Sequence, residues 1–115
     1  MIESIEMTYT REINVLRAYC RAEVGRCHEA EDSLCGIALW ELGDALCTLT
    51  DCPFSSPTHF RDAVCNLPCL RDGFTRFKPR NKVEAYKLKK LAGAFREQID
   101  LVLSGGCGLT PLPYR

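Results

Sequence analysis

Thiols are where this chain has most chemistry to offer. Eight cysteines stand among 115 residues, at Cys20, Cys27, Cys35, Cys47, Cys52, Cys65, Cys69 and Cys107. Their uses divide into disulfides, thiolate ligands to a metal, and small buried hydrophobes. The best metal constellation is Cys47-x4-Cys52, a spacer of twelve residues, and Cys65-x3-Cys69. This pair-spacer-pair arrangement suits a zinc ion held tetrahedrally by four thiolates at about 2.3 Å, and the same ligands would take an iron–sulfur (Fe-S) cluster. Pro53 after Cys52 and Pro68 before Cys69 place backbone turns beside two of the ligands, as a closed site needs. His59 lies in the spacer and would serve in place of one cysteine. Neither pair has the two-residue spacing of a zinc ribbon.

Disulfides meet a register problem. If the first two helices form an antiparallel hairpin, Cys27–Cys35 would close its turn. Cys20 lies seven residues before Cys27, and Cys47 lies twelve after Cys35. At a rise of about 1.5 Å per residue, a Cys20–Cys47 bridge is then about 7 Å out of register. The last helix holds no cysteine, and only Cys107 follows it. The even count keeps a disulfide-stapled, secreted helical effector or ligand as the alternative. Cys20, Cys27, Cys35 and Cys47 fall on or beside apolar stripes, so core packing is their leading use. Cys107, between Gly106 and Gly108, is expected to be an exposed thiol; a redox or metal-handling role for Cys65, Cys69 and Cys107 is the second alternative. Other catalytic chemistry has little support. His28 beside Cys27 points in a different direction on a helix, and Glu41 with Asp44 reads equally as a charged rim. Glycine-rich phosphate loops, nucleophile elbows and metalloprotease motifs are absent, and no catalytic residue is assigned.

Charge is unevenly spread beneath a formal net charge of zero. Residues 1–70 carry five arginines against eleven acids, whereas residues 71–96 carry nine basic residues against Asp72 and Glu84. Arg71, Phe74, Arg76, Phe77, Lys78, Arg80 and Lys82 interleave cations with rings and form the expected partner-binding surface, with Tyr86 beyond them. An acidic protein surface or self-association ranks ahead of nucleic acid, because zero net charge weakens long-range attraction to a polyanion.

Helices must position these residues. With 46% hydrophobic residues the chain suits one all-α domain over 1–115, a compact bundle of about four helices, cysteine-rich, with a short third helix. The first runs from Thr10 as N-cap to the region of Gly25 to Ala30, its stripe being Ile13, Leu16, Cys20, Val24 and Cys27. The second opens at the acids Glu29, Glu31 and Asp32 with Ser33. It is apolar over more than half its circumference, so it should be central, with Leu42 fully buried. Gly36 and Gly43 share one face and permit close helix contact, at a helix-propensity cost of about 1 kcal/mol each. Ser56 and Pro57 start the third helix, which ends near Leu67 before Pro68. Phe74 to Arg80 reads as a loop or lone extended segment. A capping box from Asn81 to Glu84 opens the last helix, whose stripe is Leu88, Leu91, Phe95, Ile99 and Val102. Residues 1–9 and 107–115 read as extended arms.

No apolar run approaches the roughly 18 residues of a membrane span. Acids rather than basic residues open the chain, so a cytoplasmic location is expected if Met1 is the native start; secretion is the alternative. The resulting expectation is a small non-enzymatic adaptor with a cysteine-held structural metal and a basic docking surface.

Overall fold

The computed structural model describes residues 7–105 and 109. Its elements are α1 (Thr10–Glu29), α2 (Ser33–Leu46), α3 (Pro57–Cys65), α4 (Pro68–Arg71) and α5 (Lys82–Leu103), with 3-10 turns at Cys47–Leu49 and Thr75–Phe77. The all-α expectation holds, with five helices in place of four. Among the described residues the only extended pairing is an isolated antiparallel bridge between Met7 and Phe54.

The α1–α2 hairpin is built on two glycines. A Cβ added at Gly36 would meet Cys27 Cβ at 3.5 Å, and one added at Gly43 would meet Cys20 Cβ at 3.4 Å. Each pair is seven residues apart on its own helix, so the two contacts fix one antiparallel register along the seam. Leu42 is fully buried beside it, with Leu39, Leu46, Ile13 and Leu16.

The turn that joins the helices is tight. Asp32 N–H donates to Cys27 O at 2.8 Å and Glu31 N–H to His28 O at 3.1 Å, the pattern of a Schellman cap. Glu31 takes the left-handed position at φ 57°, where glycine is the usual occupant. Asp32 then starts α2 as its N-cap, accepting from Cys35 N–H at 3.1 Å. Its second carboxylate oxygen pairs with Lys87 of α5. Burial raises the Asp32 carboxyl, but hydrogen bonds from Lys87 and Cys35 outweigh it and hold the group below the usual carboxylate range.

Helix α5 runs antiparallel to α1. Lys87 sits at the α1–α2 turn, the Phe95 ring lies 6.1 Å from that of Tyr19, and Asp100 meets Arg61 of α3 at 2.6 Å. Asn81 caps α5 by accepting from Glu84 N–H at 2.9 Å, as its sequence requires. Ser56 caps α3 with Pro57 as first helical residue, also as expected. Phe60 of α3 stacks on Tyr9 at 4.4 Å, and Phe54 meets Phe60 edge-on at 5.2 Å.

Several boundaries differ from expectation. Thr10 is the first residue of α1 and Tyr9 its cap, without a side-chain bond. The end of α1, by contrast, falls within the expected Gly25 to Ala30 region: the helix closes at Glu29 with Ala30 as its cap. Met7 to Tyr9 are not a free arm: Met7 exchanges two backbone hydrogen bonds with Phe54, and Tyr9 is buried. Leu109 packs half-buried against the core rather than extending away.

Helix α4 is the element that sequence periodicity did not show. Leu67 is pushed to an extended conformation by Pro68, which then opens a four-residue helix. That helix ends in a second Schellman cap: Phe74 N–H donates to Cys69 O at 2.8 Å and Gly73 N–H to Leu70 O at 3.1 Å, with Gly73 at φ +61°. Phe74 is itself left-handed at φ 62° yet fully buried. Its strain of about 1–2 kcal/mol is offset by about 1.5–3 kcal/mol from burying the ring. Residues 74–80 therefore form the loop expected, anchored to the core by Phe74 and tightened by a 3-10 turn at Thr75–Phe77, rather than an extended segment.

Two outcomes follow from the seam and the turn. Gly43→Ala places a methyl at contact distance from Cys20, so its denaturation midpoint should match or exceed wild type, whereas Gly43→Leu should lose about 2 kcal/mol or more by forcing the helices apart. Asp32→Asn keeps the cap acceptor but removes the ion pair. Because the Asp32 carboxyl is depressed, its contribution is full above about pH 4 and lost as pH falls through the folded value. Lys87 is raised by its Asp32 hydrogen bond, so the same pair is also lost as pH rises through the lysine's folded value. Denaturant melts of Asp32→Asn should show a loss of about 1–2 kcal/mol at pH 7 and a flatter acid limb than wild type.

Candidate functional site

The cysteines separate by depth. Cys20, Cys27, Cys35 and Cys69 are buried, Cys52 and Cys65 half-buried, and Cys47 exposed, and all seven are free thiols. Cys107 lies outside the described residues. Cys47 turns back toward the Gly43 carbonyl at 4.0 Å, and Cys52 donates to Thr48 O at 3.5 Å. Cys69 lies in α4, close enough to Cys20 to influence its ionisation. Among the described residues no group of three or more His, Cys, Asp or Glu stands where it could hold a metal. The tetrathiolate expected from Cys47, Cys52, Cys65 and Cys69 is therefore not assembled: Cys47 bonds back into the end of α2 and Cys52 into the 3-10 turn after it, while Cys69 faces the α1–α2 core.

His59 does not join them either. Its Nδ1 accepts from Ser55 N–H at 3.2 Å and lies 3.1 Å from the Ser55 hydroxyl, while its ring meets Phe54 edge-on at 5.3 Å. It ties down the loop that enters α3.

Burial also decides the thiol chemistry. It pushes Cys20 up to about 12, with Cys69 and Glu23 adding repulsion, and pushes Cys35 up to about 12, with Asp32 next in effect. Cys69 is raised for the same first reason. These three stay protonated at neutral pH and are poor ligands and nucleophiles.

The expected partner-binding residues divide differently. Arg71, Arg76, Lys78, Arg80 and Lys82 are exposed and Phe77 half-buried, but Phe74 is fully buried and its ring cannot reach a partner. Phe77 is engaged as well, 6.3 Å from Phe74 and with the Arg76 guanidinium 5.9 Å from its centroid. Arg80 pairs with Glu84 at 3.0 Å and Arg71 with Asp72 at 3.5 Å. Lys78, Lys82, Lys89 and Lys90 are exposed and make no ion pair among the described residues. The large apolar side chains on this surface are Val83, 75% exposed, and Tyr86, 68% exposed, one turn apart on α5.

Known families, curated proteins and solved structures offer no match to this chain. Function must be read from its own surfaces. Sequence reading passed over two features of them: Val83, and Trp40 at 62% exposure with Ile37 at 54%. The signal was available in α2. Its buried face is Cys35, Ala38, Leu39, Leu42 and Leu46, and at 100° per residue Ile37 and Trp40 fall opposite. An apolar circumference that wide exceeds what one core can cover.

Alkylation reads the burial order directly. Limited iodoacetamide treatment of native protein, followed by peptide mass spectrometry, should label Cys47 first and leave Cys20, Cys27, Cys35 and Cys69 unmodified until denaturant is added. Native labelling of Cys20 or Cys35 at the rate of Cys47 would contradict the buried-thiol description.

Proposed function

We propose that this protein is a non-enzymatic docking module whose 71–96 surface binds an acidic protein partner. The observation that carries this reading is the exposed Val83–Tyr86 pair on α5, set among Lys82, Lys89 and Lys90, which make no ion pair among the described residues. Tyrosine supplies amphipathic contact area at small entropic cost, and such a residue inside a charged ring is a common centre of binding energy. Lysines without intramolecular partners keep their attraction for outside anions and speed encounter. Single-stranded nucleic acid is the weaker match: base stacking needs open ring faces, and with Phe74 and Phe95 buried and Phe77 engaged, only Tyr86 of the four aromatics in 71–96 offers one. The cysteines enter this reading as core packing.

Titration of the full chain with a fluorescent polyglutamate peptide and with single-stranded DNA and RNA, each at two salt concentrations, tests it. The peptide should bind with a gentle salt dependence. Lys82→Glu/Lys90→Glu should abolish binding, and Tyr86→Ala should weaken it roughly tenfold, with melting temperatures unchanged because these side chains are exposed. A nucleic-acid affinity with a log–log slope near −0.7 to −0.9 per phosphate, lost with Tyr86→Ala, would replace the acidic protein with a polynucleotide. No binding of any probe at low salt would remove this surface from consideration.

A further inference from the structure

Two depressions run end to end along the outer seam of α1 and α2 and share Val24 and Trp40. The larger, about 290 Å³, is walled by Val24, His28, Ile37 and Trp40 over Gly36. The smaller continues over Gly43 to Arg17, Arg21 and Asp44. The glycines that let the helices approach also leave this channel open above them. Trp40 is the only tryptophan of the chain and is mostly exposed at the channel's midpoint. The larger depression is at the small end of ligand sites, room for one aromatic side chain rather than an extended ligand.

Charge along the channel is arranged crosswise. Arg17 and Arg21 lie on the α1 wall and Asp44 on the α2 wall. The Cys20–Gly43 contact puts them at the same height. None of the three makes an ion pair among the described residues. An axis parallel to the hairpin that rotates a second copy by a half turn lays α1 of each copy on α2 of the other. That one operation sets Val24 against Ile37 and Trp40 of the second copy, and Arg17 and Arg21 against its Asp44, twice over by symmetry. His28 then meets the Ser33 end of the second copy, where Asp32 is already held by Lys87.

We propose that this face is a homodimer interface in which Trp40 of each copy fills the groove beside Trp40 of the other. Its apolar centre and charged edge have the anatomy of specific interfaces, with tryptophan and arginine as anchors. The face is distinct from the 71–96 surface, so the two proposals stand or fall separately.

Sedimentation of the full chain over a concentration series tests it, with fluorescence of the single tryptophan as a local report. Wild type should dimerise as concentration rises, and its emission should shift to the blue in step. Trp40→Lys should stay monomeric with an unchanged circular dichroism spectrum. R17E/R21E and D44R should each weaken self-association roughly tenfold or more by setting like charges face to face. Mixing the two variants should restore a dimer, because both charge contacts become complementary in the heterodimer. A monomer at every concentration, with emission that never shifts, overturns the proposal. A dimer that survives Trp40→Lys, or charge variants that fail to complement on mixing, overturns this interface.

Discussion

The close approach of α1 to α2, with Gly36 against Cys27 and Gly43 against Cys20, is the constraint on which the remaining structure depends. Each contact joins the smallest residue to a small apolar one, and the two recur at the same interval on both helices. A branched or long side chain at any of the four positions would separate the helices and forfeit dispersion contacts along the seam. Cysteine is suited to this place as a compact hydrophobe. The Cys20 thiol is kept neutral by the burial that makes the seam, so the packing use and the ligand use exclude each other there.

So close a hairpin needs a short turn, and that need reaches α5. Three residues carry the chain from Ala30 to Asp32, Glu31 accepting a left-handed backbone to do so. The left-handed penalty of about 1–2 kcal/mol is tolerated because Asp32 then serves three groups at once. Its N–H closes the cap of α1, one carboxylate oxygen caps α2, and the other holds Lys87. A single residue thus sets where α2 begins and where the first turns of α5 lie. With that end of α5 fixed, the α4 cap, clamped by Arg96 donating to Leu70 O at 2.8 Å, decides which face of α5 stays open.

Elements with a local cause were legible in the sequence. Ser56-Pro57, the Asn81 to Glu84 capping box, the Gly36 and Gly43 face and the burial of Leu42 each follow from a few neighbouring residues. What was not legible depends on tertiary partners. Helix α4 is only four residues long and has no period to detect; its existence rests on Pro68, Gly73 and a pocket for Phe74. The same pocket removes Phe74 from the binding surface, since an aromatic between cations reads as exposed until a cap turns it inward. Sequence spacing likewise placed Cys47, Cys52, Cys65 and Cys69 as a set, but spacing fixes a metal site only when the chain between the pairs folds back, and α3 intervenes as a helix packed on α5. The 107–115 arm and Cys107 lie beyond what the structure describes, apart from Leu109.

Folding leaves the charge asymmetry of the chain largely unspent. Among the described residues, Lys87–Asp32 is the ion pair that joins the basic segment to the acidic first part, and Arg61–Asp100 ties α3 to the end of α5. Lys82, Lys89 and Lys90 instead lie exposed along one helix. Nothing in the core requires lysine there, because a neutral polar side chain would cover α5 as well. Arg17, Arg21 and Asp44 repeat the situation on the hairpin, close in height yet without an ion pair among the described residues. In both places the energy that folding leaves uncollected is electrostatic and lies beside an exposed aromatic, Tyr86 in one case and Trp40 in the other. An association that buries the ring also desolvates the charges around it, and each gain strengthens the other because Coulomb attraction rises as water is excluded.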